Sequence, residues 1–204
     1  GTLASSTTAI ASISGMTLNS ATFATTSSSP STYSTAITLG SGGGTVDFSA
    51  TSSATLSGVI SGSGNLTLSS TNGGYAVTLS GNNTHTGGTT LNSGILQFGH
   101  DQAAGSGTLT INGGKVRASA TRTVTNAVVL GGTFTMAGSF GMTFSGNVDL
   151  GGVDRTIDNT INSDLTFSGI ISNGSITIGG SAGTGAVVLS GNNTHTNTTI
   201  SGGN

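Results

Sequence analysis

The heptapeptide SGNNTHT occurs twice in the chain, at residues 80–86 and 190–196, and its two copies begin 110 residues apart. The flanking segments agree as well: ATLSGVISGSGNLTL at 54–68 aligns with LTFSGIISNGSITI at 165–178 after one deletion. Self-similarity over a long, constant spacing is typical of stacked, quasi-one-dimensional repeat proteins. The chain is therefore predicted to contain about two imperfect super-repeats of 110 residues.

The super-repeats are out of phase with both ends of the chain. We place one copy at residues 54–163 and an incomplete one at 164–204, with residues 1–53 as the C-terminal part of a preceding copy. Neither end resembles a domain boundary. We therefore expect residues 1–204 to be a single solenoid segment of a longer repetitive protein.

Charge is sparse, which excludes several classes of partner. Charged residues make up 5% of the chain, the net charge is −2, and cysteine is absent. This charge gives no electrostatic footprint for nucleic acid or anionic membranes. No apolar run approaches the roughly 20 residues of a membrane-spanning helix. Without cysteine, neither disulfides nor thiolate metal sites can form. We predict no cofactor, no nucleic-acid partner and no direct insertion into a membrane.

Apolar and polar residues alternate in short runs, as in LTL at 66–68, VTL at 77–79 and ITI at 176–178. Alternation with period two predicts strands, and clusters of Gly, Asn and Ser between the runs predict turns. Gly and Thr both disfavour helix. Near the start of the chain the pattern weakens, but it still predicts strands at Ile13, at 16–18 and at 21–23.

A sandwich or barrel and a parallel β-solenoid both suit many short strands. Three observations favour the solenoid: the repeat extends over the whole chain, the Gly/Asn turns are dense, and the short strand patterns can stack in register between coils. Coils of about 20 residues would give about ten coils, and at about 4.8 Å per coil a rod about 50 Å long.

The heptapeptide is predicted to be a turn that leads into a strand. Asn tolerates left-handed backbone geometry, and its amide can bond the equivalent group on the next coil. Thr84, Thr86, Thr89 and Thr90 are expected to follow as an outward-facing strand. The structural signature of the repeat is Gly81, Asn82, Asn83, Thr84, Thr86, Gly191, Asn192, Asn193, Thr194 and Thr196.

The segment LSGNNTHTGGTTLNSGILQFG at residues 79–99 resembles the autotransporter-associated β-strand repeat, and so does LSGNNTHTNTTISGG at 189–203. The resemblance implies a passenger-type, right-handed parallel β-helix of a bacterial surface protein, displayed outside the cell as an adhesin, stalk or fibre. The chain departs from the family at His85 and His195, where tyrosine is usual, and at Asn197, where the first copy has two glycines.

Enzymatic chemistry would need clustered carboxylates, because glycoside hydrolysis requires two of them facing one groove. The acidic cluster of the chain is Asp149, Asp154, Asp158 and Asp164, with Arg155 among them. Asp149 and Asp158 could lie on neighbouring strands. We favour turn and surface positions for these residues and predict that the chain is not an enzyme.

Ion and ice binding are weaker alternatives. GGGTVD at 42–47 and GGVD at 151–154 lack the tandem spacing of calcium-binding β-rolls. His85 and His195 are about five coils apart and cannot share a metal ion within one rod. We expect His85, His100 and His195 to occupy half-exposed positions on strands. Outward Thr-x-Thr pairs recur once per super-repeat rather than once per coil, which disfavours ice binding.

The sequence thus predicts an all-β, right-handed parallel β-helix with a non-enzymatic structural or adhesive function at the outer cell surface. Its expected partners are neighbouring repeats of the same longer chain or other copies end to end, with host surfaces or glycans as further partners. Two alternatives stay open. One is a carbohydrate-binding or polysaccharide-cleaving β-helix, although Tyr33 and Tyr75 are the only tyrosines and tryptophan is absent. The other is a self-assembling filament or sheath subunit.

Overall fold

The chain winds into a parallel β-solenoid of about nine coils. The structure, a computed structural model, describes residues 1–5, 14–49, 51–180 and 183–202. Within those ranges it contains strands and turns and no helix. The strand predicted at Ile13 lies outside the described residues. The predicted all-β parallel solenoid is confirmed.

Each coil has three faces, which the chain visits in the order A, B, C. Face A is formed by β1 (Thr2–Ser5), β3 (Ala21–Thr25), β6 (Gly44–Asp47), β9 (Leu66–Ser69), β11 (Thr89–Leu91), β13 (Leu109–Ile111), β16 (Val128–Leu130) and the first parts of β19 (Val148–Asn159) and β21 (Ile171–Gly179). Face B is formed by β4 (Ser31–Tyr33), β7 (Ala54–Leu56), β10 (Ala76–Leu79), β12 (Ile95–Phe98), β14 (Lys115–Ala118), β17 (Phe134–Met136), the second parts of β19 and β21, and β23 (Thr198–Ile200).

Face C is divided into two sheets. The first contains β2 (Gly15–Leu18), β5 (Ala36–Leu39) and β8 (Ile60–Gly62), and the second contains β15 (Arg122–Val124), β18 (Met142–Phe144), β20 (Leu165–Phe167) and β22 (Val187–Leu189). Between β8 and β15 the chain crosses face C twice without forming a strand. The signature heptapeptide at 80–86 makes the first of these crossings.

The period-two pattern of the sequence explains how the strands bury their side chains. In β9 the leucines point inward and are fully buried, while Thr67 between them lies at the surface. Stacking the coils joins these inward side chains into one continuous hydrophobic column. Aromatic rings fill it in places: Phe144 and Phe167 stack with centroids 5.3 Å apart. Burial of such apolar surface contributes about 25 cal/mol per Å².

Tight corners set the length of each coil. Register partners on adjacent coils lie between 19 residues apart, as for Ala76 and Ile95, and 23 apart, as for Leu66 and Thr89. The expected coil of about 20 residues is close to these values. At the corner before β9, a Cβ on Gly64 would lie 1.9 Å from the carbonyl oxygen of Gly40 on the preceding coil. The corner therefore requires glycine there for close packing of one coil on the next.

Candidate functional site

The first copy of the heptapeptide alternates between the surface and the interior. Asn82, Thr84 and Thr86 are exposed, whereas Asn83 and His85 are buried. The predicted outward orientation of Thr84 and Thr86 is confirmed, but these residues lie before β11 and do not form the predicted strand. The expectation of a half-exposed His85 is wrong, because this side chain is fully buried. Because successive side chains point alternately outward and inward, the polar side chains of Asn83 and His85 lie inside the hydrophobic column.

Asn83 replaces part of the β-ladder that is missing on face C. Its Oδ1 accepts a hydrogen bond from the backbone N–H of Ile60 on the preceding coil, at 2.8 Å. Its Nδ2 donates to the carbonyl oxygen of Ala103 on the following coil, at 2.7 Å. One buried amide thus joins three successive coils. Its partners are backbone groups, so the predicted bond to the equivalent group on the next coil is replaced by bonds to the backbone of both adjacent coils.

The backbone of the two asparagines also differs from the expectation. Among the described residues other than glycine, Ser20 and Asn173 alone have a positive φ, at 52° and 60°. Asn82 and Asn83 therefore do not adopt left-handed geometry. The amide of Asn83 is used for bonds between coils instead of for a tight turn.

His85 forms a buried polar chain with Thr89. The Nε2 of His85 lies 2.8 Å from the Thr89 Oγ1, and this hydroxyl donates to the carbonyl oxygen of Ala104 at 3.0 Å. Because Thr89 has one hydroxyl hydrogen, its oxygen accepts from His85, and Nε2 carries the ring proton. Thr89 is fully buried, so its predicted outward position is wrong.

The second ring nitrogen of His85 has no partner. Its Nδ1 is buried without a hydrogen bond and lies against Gly105, where an added Cβ would be 2.7 Å from it. Burial lowers the pKa of His85 below 6.5, with a smaller opposing effect from the backbone of Ile60. A second proton would therefore introduce a charge and an unpaired N–H into the apolar column.

Stability is expected to fall as the pH drops below about 6.5, because the unfolded chain then binds a proton that folded His85 resists. A lowered histidine pKa contributes stability that is fully present above the unfolded value and is lost on acidification. Thermal unfolding between about pH 8 and about pH 5 measures this effect. The pKa of Asp149 is also lowered, first by the hydrogen bond from the N–H of Gly151 and then by that from Asn173. Because this pKa lies below the usual 3.8, Asp149 stays ionised over the pH range of the measurement.

The matched variants for this measurement are His85→Gln and His100→Gln. His100 accepts a hydrogen bond from the backbone N–H of Gln102 in a surface turn. The His85 variant should lose the dependence on pH in this range, and the His100 variant should keep it. A wild-type melting temperature that stays constant from neutral to mildly acidic pH would contradict the assignment of a neutral, buried His85.

The second copy repeats the same chemistry on another face. Asn193 accepts a hydrogen bond from the backbone N–H of Ile171 at 2.8 Å, and His195 Nε2 lies 2.7 Å from Thr198 Oγ1. His85 lies on face C, where its coil stacks on β8, whereas His195 lies on face A, where its coil stacks on β21. The heptapeptide therefore has one local structure at two different places around the axis.

A super-repeat contains five complete coils and one additional face. On face B, five ladder steps lead from β7 through β10, β12, β14 and β17 to β19. The strand equivalent to β7 in the second copy is β20, which comes one face later, on face C. In the same way, β10 on face B corresponds to β22 on face C. Successive copies are consequently rotated by one face about the solenoid axis.

The remaining signature residues have distinct positions. A Cβ on Gly81 would lie 2.5 Å from the carbonyl oxygen of Gly58, and one on Gly191 would lie 2.2 Å from that of Gly169. These glycines allow one corner to stack closely on another. Asn192, Thr194 and Thr196 are exposed, as their counterparts in the first copy are.

The acidic candidates do not converge on one groove. Asp149 and Asp158 lie on the same strand, β19, but on faces A and B, and therefore not on neighbouring strands. Asp149 accepts from Gly151 N and Asn173 Nδ2, and Asp164 accepts from Ala186 N. These aspartates are tied into turns and cross-coil contacts. Asp154 is exposed on the part of β19 between the two faces.

The candidate metal and calcium motifs do not form an ion site in the described part of the chain, where no group of three or more His and Asp side chains is arranged to hold an ion. The segment 42–47 enters strand β6, and Asp47 accepts from the backbone N–H of Ser49. The segment 151–154 lies within strand β19.

A ladder of outward threonines on face A was missed by the sequence analysis. It joins register partners on six successive coils: Thr2, Thr22, Thr45, Thr67, Thr90 and Thr110. A single outward threonine thus recurs once per coil, whereas the Thr-x-Thr pairs of the heptapeptide occur once per super-repeat. A shallow groove of about 160 Å³ follows part of this ladder and is lined by Thr22, Thr45, Thr67 and Asn65, among others. The regular signal in the sequence was a central Thr between two apolar residues.

Residues 76–98 and 182–204 match the passenger-associated-transport-repeat family. These two segments, called the passenger-type repeats below, are similar to that family and together make up less than a quarter of the chain. Both contain the heptapeptide, and the matches confirm the resemblance predicted for residues 79–99 and 189–203. No curated protein and no solved structure matches the chain. In the part of the chain that the structure describes, no helix is long and apolar enough to span a membrane.

The passenger-type repeats occupy defined positions in the solenoid. The first begins with β10 and ends with β12, one coil later on the same face. The second includes β22 and β23. Each repeat therefore supplies the heptapeptide together with the strands on both sides of it. This makes the repeat a structural unit of about one coil.

Proposed function

We propose that this chain is a rigid, non-enzymatic segment of a bacterial surface protein, which projects or spaces other parts of that protein and contributes to adhesion. The observation that carries the proposal is the uninterrupted hydrophobic column. It extends through the stacked coils from Leu18 to Ile178. Where the ladder of face C is broken, Asn83 supplies the missing contacts between coils. A rod of this kind resists bending because each coil is bonded to the coils on both sides.

The proposed location is the outer cell surface, in agreement with the passenger-type repeats. The proposed partners are neighbouring repeats of the same longer chain or other copies end to end, together with host surfaces or glycans. The outward threonine ladder of face A would contact such partners. Nucleic acid is a poor candidate because the net charge is −2 and phosphate groups are bound by positive charge.

A carbohydrate-active β-helix is the alternative, and one observation favours it. The groove on face A is polar and lined by hydroxyl and amide groups, as a sugar-binding groove would be. No aromatic ring is among its lining residues, however, and Tyr33 is buried against Phe23 at a centroid distance of 5.2 Å. Tyr33 is therefore not available for stacking on a sugar ring.

Electron microscopy and a reducing-sugar assay on the same preparation test the structural function. We expect straight, unbranched rods in which successive coils are about 4.8 Å apart. We expect no release of reducing ends from bacterial or host polysaccharides. Sugar release by the purified chain that disappears in Asp158→Asn would replace the proposed function with an enzymatic one. A continuous filament would favour the sheath-subunit alternative.

The adhesive contribution is tested by displaying the chain on a non-adherent bacterium. A double variant of face A, Thr45→Val with Thr67→Val, should reduce attachment to host cells or immobilised glycans. The matched control on face C is Thr17→Val with Thr38→Val, whose residues are register partners on adjacent coils. Equal attachment of both variants and the wild type would limit the function to projection.

A further inference from the structure

The few charged side chains of this chain form a pattern on face B. Lys115, Thr135 and Asp158 are register partners on three successive coils and form one axial row. Lys115 is exposed, and the other two are half-buried. Arg117 lies two residues along β14 from Lys115, on the same outward side. The positive charge of Lys115 therefore lies one coil before Thr135, and the negative charge of Asp158 lies one coil after it.

Within the described part of the chain, Lys115, Arg117 and Asp158 form no ion pair. The ion pair of Arg122 with Asp101, at 3.7 Å, lies at a different corner of the solenoid. The Nε of Arg117 is buried without a hydrogen bond. Beside Asp158 is a shallow groove of about 360 Å³, lined by Thr135, Thr160 and other small residues. This groove has room for an incoming cationic side chain.

On the coils before β14, the described outward residues of face B are uncharged. A row of outward residues leads from β4 to β14: Thr32, Thr55, Thr78, Gln97 and Arg117. Such a row presents short polar groups at the same register on each coil. A second sheet that packs on face B would cover the charges of Lys115, Arg117 and Asp158, and to bury these charges unpaired would be costly.

We propose that face B is a self-association surface, on which a second copy of this chain docks with its axis antiparallel to the first. A two-fold axis at the level of Thr135, along the strand direction, places Lys115 of each copy opposite Asp158 of the other. A parallel arrangement would place Lys115 opposite Lys115 and Asp158 opposite Asp158. Charge complementarity therefore selects the antiparallel dimer, in which the same patch is used by both copies.

The test is sedimentation velocity of the whole chain over a range of concentrations at low and high salt. We expect a dimer that weakens with salt, because exposed charge pairs are screened. Lys115→Glu and Asp158→Lys should each weaken self-association at least about tenfold, since like charges then face each other. An equimolar mixture of the two variants should form heterodimers, because both facing pairs are again opposite in charge.

Asp164→Lys is the matched control, since it makes the same charge change at an exposed position outside face B. It should dimerise like the wild type, and circular dichroism should show that all variants are folded. The proposal is overturned by a monomeric wild-type chain, by single variants that associate normally, or by a mixture that does not associate. Association that survives high salt would indicate end-to-end stacking, and it would overturn the face-B dimer without affecting the proposed structural function.

Discussion

Replacing Asn83 with alanine is expected to lower the free energy of unfolding by about 2–4 kcal/mol. The substitution leaves the N–H of Ile60 and the carbonyl oxygen of Ala103 without their partners, at 2.8 and 2.7 Å from the amide. Each buried backbone group that loses its hydrogen bond costs about 1–3 kcal/mol, and water cannot easily replace the amide inside the column. Chemical denaturation monitored by circular dichroism measures the loss.

Asn82→Ala is the control for this prediction. Asn82 is the neighbouring residue with the same side chain, but it is exposed. Its replacement should change the free energy of unfolding by no more than about 0.5 kcal/mol. If the two variants were equally stable, the bridging function of Asn83 would be refuted. Asn83→Asp should also destabilise, because a carboxylate accepts from Ile60 but cannot donate to Ala103.

Gly64→Ala is expected to destabilise the solenoid by about 3 kcal/mol or more, through overpacking at a corner. The added Cβ would lie 1.9 Å from the carbonyl oxygen of Gly40 and 2.8 Å from the Cα of Gly43. Both contacts are with backbone of the preceding coil, so no side chain can rotate away. The coils must separate locally, and the hydrogen bond from Gly64 N to Leu39 O, at 3.3 Å, is placed at risk.

Gly73→Ala is the matched substitution at an open corner. A Cβ on Gly73 meets no heavy atom within 4 Å. Alanine should be neutral there or stabilise by up to about 1 kcal/mol, because it restricts the unfolded chain. The melting temperatures of the two variants are measured side by side. A lower value for Gly64→Ala alone shows that the cost comes from the close packing of the coils and not from the loss of a glycine in general. Similar melting temperatures would show that the corner at Gly64 can relax.

The interior of the solenoid was predictable wherever apolar residues alternate strictly with polar ones. In LTL and ITI segments the local pattern alone decides which side chains point inward, because neighbouring side chains on a strand face opposite sides. The heptapeptide was harder to interpret. His85 and Thr89 are polar and were expected at the surface, yet both are fully buried. Their burial depends on the carbonyl oxygen of Ala104, which a different coil supplies.

The threonine ladder of face A was hidden for a different reason. Its members are separated by unequal numbers of residues, because coil lengths vary from 19 to 23. A constant period cannot be read from such a sequence. Only the register between coils shows that Thr45, Thr67 and Thr90 are equivalent.

The sequence by itself determined that this chain is a stacked parallel β-solenoid, since strand alternation, turn residues and the SGNNTHT repeat are local properties that each segment carries. The tertiary structure decided on which face each segment lies. Because a super-repeat spans five coils and one face, the second copy is rotated, and His85 and His195 lie on faces C and A. Face assignment is the cumulative result of every preceding corner. It is set by how the coils stack, which no single segment encodes.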